Sequence, residues 1–276
     1  MERNTAKRTL EKLLSVCICL CMLGAMLPAQ VFAEEADTAQ TETVQDTAPK
    51  DTVYLSSADD LIQLAKNCRL DSWSQNRTVV LEADIDLSSV DFNGIPSFGG
   101  TWEGQNHAIT GLSLSQDGSV QGLFRYVQQG ALVRDMTVKG RIKPGGTRAS
   151  VGGIAGSNAG TIENCAFDGV VSGTSQIGGI AGVNTVKGSI NDCTVSGTVY
   201  GSHFVGGVVG QNDGVAANCT NAASVNTTVS QNEVKLNDLT LDDLLKTEKA
   251  NDVTDAGGIA GNNAGVLRAC INRGTI

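Results

Sequence analysis

Four stretches of the chain repeat one alternation of small, aliphatic and polar positions: VGGIAGSNAGTIENC from Val151, IGGIAGVNTVKGSINDC from Ile177, VGGVVGQNDGVAANC from Val205 and AGGIAGNNAGVLRAC from Ala256. Their glycine pairs are Gly152-Gly153, Gly178-Gly179, Gly206-Gly207 and Gly257-Gly258, at intervals of 26, 28 and 51 residues. A recurring period of this size signals a solenoid, because each unit is too short to bury its own apolar face and must stack on a copy of itself. Aligning the copies separates the positions into columns. Ile154, Ile180, Val208 and Ile259 form one aliphatic column; Ile162, Ile190, Ala216 and Leu267 form a second; Val171, Val199, Val225 and Ile276 form a third. The column three residues after each cysteine holds Asp168, Ser196, Ala222 and Arg273, and so tolerates any chemistry. Apolar columns beside a permissive one describe coils whose inner side chains stack and whose outer ones meet water.

Upstream the period is looser, but the alternation persists. Thr78 to Leu87, Ala108 to Leu114 and Leu132 to Ile142 alternate apolar and polar residues and are expected as strands. Ahead of them, Ser57-Ala58-Asp59-Asp60 has capping-box character, and Leu61, Ile62, Leu64 and Ala65 give a short amphipathic helix. The pattern predicts an all-β chain: a right-handed parallel β-helix over residues 78–276, with a helical cap over 52–77 covering its first turn. The interval of 51 equals two periods, or one period plus an insertion. Residues 227–255 contain no glycine and none of the motif, so one coil carrying an inserted loop is expected. Within that loop Thr240-Leu241-Asp242-Asp243, followed by Leu244 and Leu245, predicts a short helix.

The N-terminus changes the picture of where the protein works. Arg3, Lys7, Arg8 and Lys12 precede a largely apolar run from Leu13 to Leu27, and Val31-Phe32-Ala33 suits signal peptidase, with cleavage after Ala33. The run is short for a transmembrane span. Residues 34–51 are acidic and nearly free of apolar material, which predicts a disordered linker. The expectation is a secreted or cell-surface protein with no membrane span in its mature form.

Composition agrees. The 276 residues include 33 glycines and only 4% aromatics, which does not suit a helical bundle, and four prolines without a Gly-X-Y period exclude collagen. A net charge of −9 argues against nucleic acid as a partner.

The GG-[IV]-[AV]-G-x-N cores resemble GLUG-motif repeats, found in bacterial surface proteins and in the N-terminal regions of IgA-cleaving zinc metalloproteases. The lead-in LSSADDLIQLAKN, VVLEADIDLSS, FGGTWEGQNHAITGL and GLFRYV resembles the same families, so the likeness spans residues 54–276. It implies an extracellular β-helix that presents a surface or spaces a domain, and no chemistry by itself.

Candidate chemical groups are few. Asn158, Asn184, Asn212 and Asn263 share one register, six residues after the first glycine, and predict a stacked amide ladder at a turn. Cys165, Cys193, Cys219 and Cys270 share another. A metal or redox ladder is one reading; a stack of small apolar side chains inside the coil is the favoured one, since parallel neighbours point the same way and bridging would strain them. With Cys68 the chain past Ala33 has five cysteines, so complete pairing among them is impossible. The motif glycines are expected at corners, serving positive φ or close backbone approach. His107 and His203 lack a His-Glu-x-x-His context, so no catalytic zinc site is read. Glu82, Asp84 and Asp86 alternate and could share a face for calcium, though a solvated edge is the expectation. Glu103 beside Trp102 suggests a sugar platform, but aromatics are too scarce for a groove.

The sequence reading is therefore a non-catalytic adhesion or display module without cofactor, whose partners would be host or neighbouring-cell glycans or proteins. The alternatives are the N-terminal spacer of a larger secreted zinc metalloprotease and, third, a polysaccharide-active β-helix enzyme. Because the sequence reaches Ile276 inside the coil begun by the fourth motif, with no capping segment and no LPxTG signal, a fragment or an end covered by another chain is expected.

Overall fold

The computed structural model describes residues 51–145, 149–227 and 255–276. The leader, the linker up to residue 50 and the predicted helix near Leu241 lie outside the described residues.

The described residues open on a strand, Thr52–Leu55, and a helix, Ala58–Asn67. Ser57 caps the helix: its hydroxyl accepts from the Asp60 amide at 3.3 Å, while the Asp60 carboxylate accepts from the Ser57 hydroxyl at 2.7 Å and the Ser56 amide at 3.1 Å. Those bonds, the Ser57 hydroxyl first, hold the Asp60 carboxyl below its usual pKa. The helix buries Leu61 and Leu64 against the first coil, and so covers the sheet edge that the solenoid would otherwise expose.

Beyond this one short helix the chain winds into a parallel β-solenoid of about six turns. Every strand pairing among the described residues is parallel. A six-stranded sheet takes one strand from each coil: Ile95–Phe98, Phe124–Val127, Ala155–Asn158, Ala181–Asn184, Val209–Asn212 and Ala260–Asn263. A four-stranded sheet joins Ala149–Gly152, Ser175–Gly178, His203–Gly206 and Ala256–Gly257. The longest face includes Ala108–Leu114, Leu132–Ile142, Thr161–Ser172 and Thr194–Tyr200. The motif columns are the register itself: Gly152 pairs with Gly178, Gly178 with Gly206 and Gly206 with Gly257. The fourth motif therefore sits directly on the third, and the interval of 51 contains a single coil step.

One predicted feature needs correcting. Thr78 to Leu87 is not one strand but two, Thr78–Leu81 and Ile85–Asp86. The break falls where the Asp84 carboxylate accepts the Ala108 amide at 2.8 Å, a bond that an unbroken strand would give to a backbone carbonyl. Of the two roles expected of the motif glycines, positive φ is not the one they take. Positive φ falls on rows of non-glycine residues, Ser150, Gln176 and Phe204 at one corner and Asp135, Asn164, Asp192, Asn218 and Ala269 at another.

The motif glycines instead serve close approach. A Cβ on Gly179 would lie 2.3 Å from Val195 Cγ1 and 2.4 Å from the Gly207 carbonyl oxygen. Such contact is possible only because the coil is thin at this point, with the far wall touching the glycine backbone.

The core runs the length of the solenoid and changes character along it. The first coils are filled by Phe98, Trp102 and Phe124, whose ring centroids lie 5.2 to 5.9 Å apart in tilted and edge-on contacts. The repeat coils are filled mainly by Ile, Val, Ala and Cys, with Phe167 in the first of them. Small, shape-matched residues allow each coil to stack on an almost identical copy.

Candidate functional surface

The columns most uniform in sequence turn inward. Asn158, Asn184 and Asn212 are fully buried. Each passes a hydrogen bond along the column: Asn158 Nδ2 donates to Asn184 Oδ1 at 2.9 Å, Asn184 Nδ2 to Asn212 Oδ1 at 2.8 Å and Asn212 Nδ2 to Asn263 Oδ1 at 2.7 Å. Asn184 Nδ2 also reaches the Gly188 and Val215 carbonyls, so one side chain ties its own turn to two neighbours. A second amide pair, Asn221 donating to Asn272 Oδ1 at 2.7 Å, occupies a column that holds Phe167 and Val195 in earlier coils. The aliphatic members of that column hide it from a sequence alignment.

The cysteines stack as well, and Met136 extends the row, since it pairs in register with Cys165. All four thiols are free, with Cys165, Cys193 and Cys219 buried and Cys270 half-buried. Each Sγ donates to the carbonyl two residues before it, at 3.2 Å for Cys165 and 3.1 Å for Cys193. Burial pushes the Cys165 thiol up to about 12 and Cys193 upward too. A thiol raised in this way is neutral in the fold. It stabilises fully below the ordinary thiol pKa, and that contribution fades as pH climbs from there towards about 12. Iodoacetamide at about pH 8 is expected to leave Cys165 and Cys193 unlabelled in the native protein and to label both in guanidinium. Mass analysis of the peptides checks this; native labelling of Cys193 as fast as Cys270 would contradict it.

The groups considered for chemistry are mostly engaged elsewhere. Asp84 accepts the His107 Nδ1 at 3.0 Å as well as the Ala108 amide, and Asp86 accepts the Ser88 amide and hydroxyl at 2.9 Å each. Their carboxyls are held below the usual range, Asp84 first by the Ala108 amide and Asp86 first by the Ser88 amide. The break between Leu81 and Ile85 separates Glu82 from the strand that carries Asp86. Among the described residues no group of three His, Cys, Asp or Glu side chains could hold a metal ion. His203 faces Asp255 at 3.3 Å. Trp102 is wholly buried in the core and offers no sugar platform, while Glu103 forms a forked pair with Arg134, at 2.7 and 2.9 Å.

The surface available for recognition is the long face. Successive coils set Thr137, Ala166, Thr194 and Thr220 in one outward row and Lys139, Asp168 and Ser196 in a second, with Ser196 Oγ donating to Asp168 Oδ1 at 2.8 Å. A third row holds Arg141, Val170, Thr198 and Ser224. Rows about 4.8 Å apart between coils and about 7 Å apart along a strand make a flat lattice of positions on a fixed backbone. The basic members were visible in the sequence as every second residue of TVKGRIK, but nothing marked them as a cluster until the register was known.

Geometry thus defines a parallel β-solenoid with inward amide and thiol ladders and a variable outer face. Residues 173–200 match the family model of the GLUG motif, and the other three copies hold the same register. Over 128 residues the chain is 29% identical to halomucin of Haloquadratum walsbyi, a match covering 40% of this chain and 1% of that protein. A crystal structure of a candidate immunoglobulin A1 protease from Bacteroides ovatus superposes with a TM-score of 0.49 at 18% identity, over 81% of this chain and 78% of that one. No helix among the described residues is long and apolar enough to cross a membrane.

Proposed function

We propose that this chain is a non-catalytic module for adhesion or display, exported to the cell surface or beyond, whose long solenoid face binds glycans or proteins of a host or a neighbouring cell. One observation carries the reading. Four coils repeat the aliphatic column Ile154, Ile180, Val208 and Ile259, while the position three residues after each cysteine runs Asp168, Ser196, Ala222 and Arg273. A scaffold that fixes its backbone with interior ladders leaves its outer positions free to be chosen for a partner. The buried thiols of Cys165 and Cys193, held neutral by burial, and the locally satisfied carboxylates fit a support better than a catalyst.

The test is binding of the purified chain to immobilised mucin, fibronectin and collagen, alongside a variant carrying Thr194→Glu and Thr220→Glu. These two positions are exposed or half-buried on the long face, so the fold should persist. Binding that drops at least tenfold in the variant is the expected result. Hydrolysis of any of these polymers by the unaltered chain, or binding indifferent to the substitutions, would sink the proposal.

A further inference from the structure

Where the cap helix meets the first coils there is a cleft of about 240 Å³. Lys66 and Arg69 reach it from the end of the helix, Arg125 from the strand Phe124–Val127, and Asp91, Phe92 and Asn93 from the loop between coils. None of the three cations makes an ion pair within 4 Å among the described residues. Arg125 is the telling one. It is half-buried, and its Nε lies enclosed without any hydrogen-bond partner. A guanidinium nitrogen closed off from water without a partner is costly to the fold, and an anion bound to the still accessible end of the same group would offset part of that cost. The concentration of unpaired cations is also against the trend of a chain whose net charge is −9.

We infer that this cleft is a binding site for a sugar acid: a single monosaccharide unit whose carboxylate is held by Arg125. The planar fork of an arginine matches a carboxylate in two parallel hydrogen bonds, which a point charge cannot do. Lys66 and Arg69 at the mouth add attraction. Asp91 and Asn93 supply acceptors and a donor for ring hydroxyls, and the buried Phe92 adds an apolar residue to the lining. The volume is below the usual range of roughly 300 to 1,000 Å³ for drug-sized ligands, which suits one sugar ring. The inference stands apart from the long face and does not depend on what that face binds.

Titration of the full chain with glucuronate, galacturonate and N-acetylneuraminate, followed by calorimetry and amide NMR, tests it, with glucose and inorganic sulfate as comparisons. At least one of the three acids is expected to bind about tenfold more tightly than glucose or sulfate, with shifts centred on Asn93 and Gly94. Arg125→Lys keeps the charge but removes the fork, and should weaken binding about tenfold. Lys66→Ala, on an exposed helix position that leaves folding intact, should weaken it about threefold and reduce the salt dependence. Equal binding of glucose, sulfate as good as the acids, shifts confined to the long face, or full affinity in Arg125→Lys with an unchanged melting temperature would each overturn the assignment. So would the absence of binding by any of the three acids.

Discussion

Replacing Gly179 by alanine is expected to destabilise the repeat coils by about 4 kcal/mol, lowering the midpoint of thermal unfolding by roughly 10 °C. One methyl group suffices because it has nowhere to go. Its carbon would stand 2.4 Å from the Gly207 carbonyl oxygen and 2.3 Å from Val195 Cγ1. The valine could change rotamer, but the carbonyl belongs to the next coil, where the Gly179 amide donates to it at 3.2 Å. Relief would therefore require the two coils to separate and give up the hydrogen bonds that join them. Gly130→Ala separates this effect from backbone strain. Gly130 has φ +83° and open space around its missing Cβ, so that change should cost only about 1 kcal/mol. Circular dichroism melts of both variants decide the matter. If Gly179→Ala melts no lower than Gly130→Ala, the close-approach account is wrong.

The second large effect is expected at the centre of the amide ladder. Asn184→Leu keeps the number and branching of the heavy atoms, so the shape is held while its bulkier methyl groups add some packing strain. It removes the acceptor of Asn158 Nδ2 and the donor to Asn212 Oδ1, and leaves the Gly188 and Val215 carbonyls without this partner, all in a buried column. Unmet buried polar groups cost about 1–3 kcal/mol each, part of which relaxation recovers, so a loss of about 3 kcal/mol is expected. Asn263 occupies the same column, but its side chain is exposed and Asn212 is its one ladder neighbour among the described residues. Asn263→Leu should cost less than about 1 kcal/mol. Denaturant titration of the pair measures the difference, and equal losses would show that the ladder contributes nothing beyond its single bonds.

Much of this architecture is legible in the chain because a solenoid repeats its environment. When Ile154, Ile180, Val208 and Ile259 meet the same neighbours, they must satisfy the same demand, and the column becomes visible without a structure. The cap helix is legible for a local reason, since Ser57 and Asp60 satisfy the first turn within four residues. The strands Ala108–Leu114 and Leu132–Ile142 have the bounds that their alternation suggests. What alternation does not carry is the break after Leu81, because the bond that causes it comes from Asp84 to an amide one coil away. Trp102 beside Glu103 looked like an exposed platform, although neighbours on a strand point to opposite sides and only one of them could be outside. The cleft at Arg125 is hidden for a related reason. Lys66, Arg69, Asp91 and Arg125 come from three separate segments of chain and converge only after the cap docks.

The single coil step between Gly206 and Gly257 has a mechanical meaning. Each coil is held to the next by a row of hydrogen bonds running along the stack, and to no more distant coil. A load drawing the two ends apart would pass through every row in series, so the weakest yields first, and a coil at an end, held by one neighbour only, is the one expected to go. Extension would proceed as a series of small slips, each releasing the 26 or 28 residues of a coil, about 90 Å of extended chain. A tether that gives way in instalments absorbs work at a low, steady force instead of failing at once. In a current or against a moving surface, that property would protect whatever contact the outer face has made.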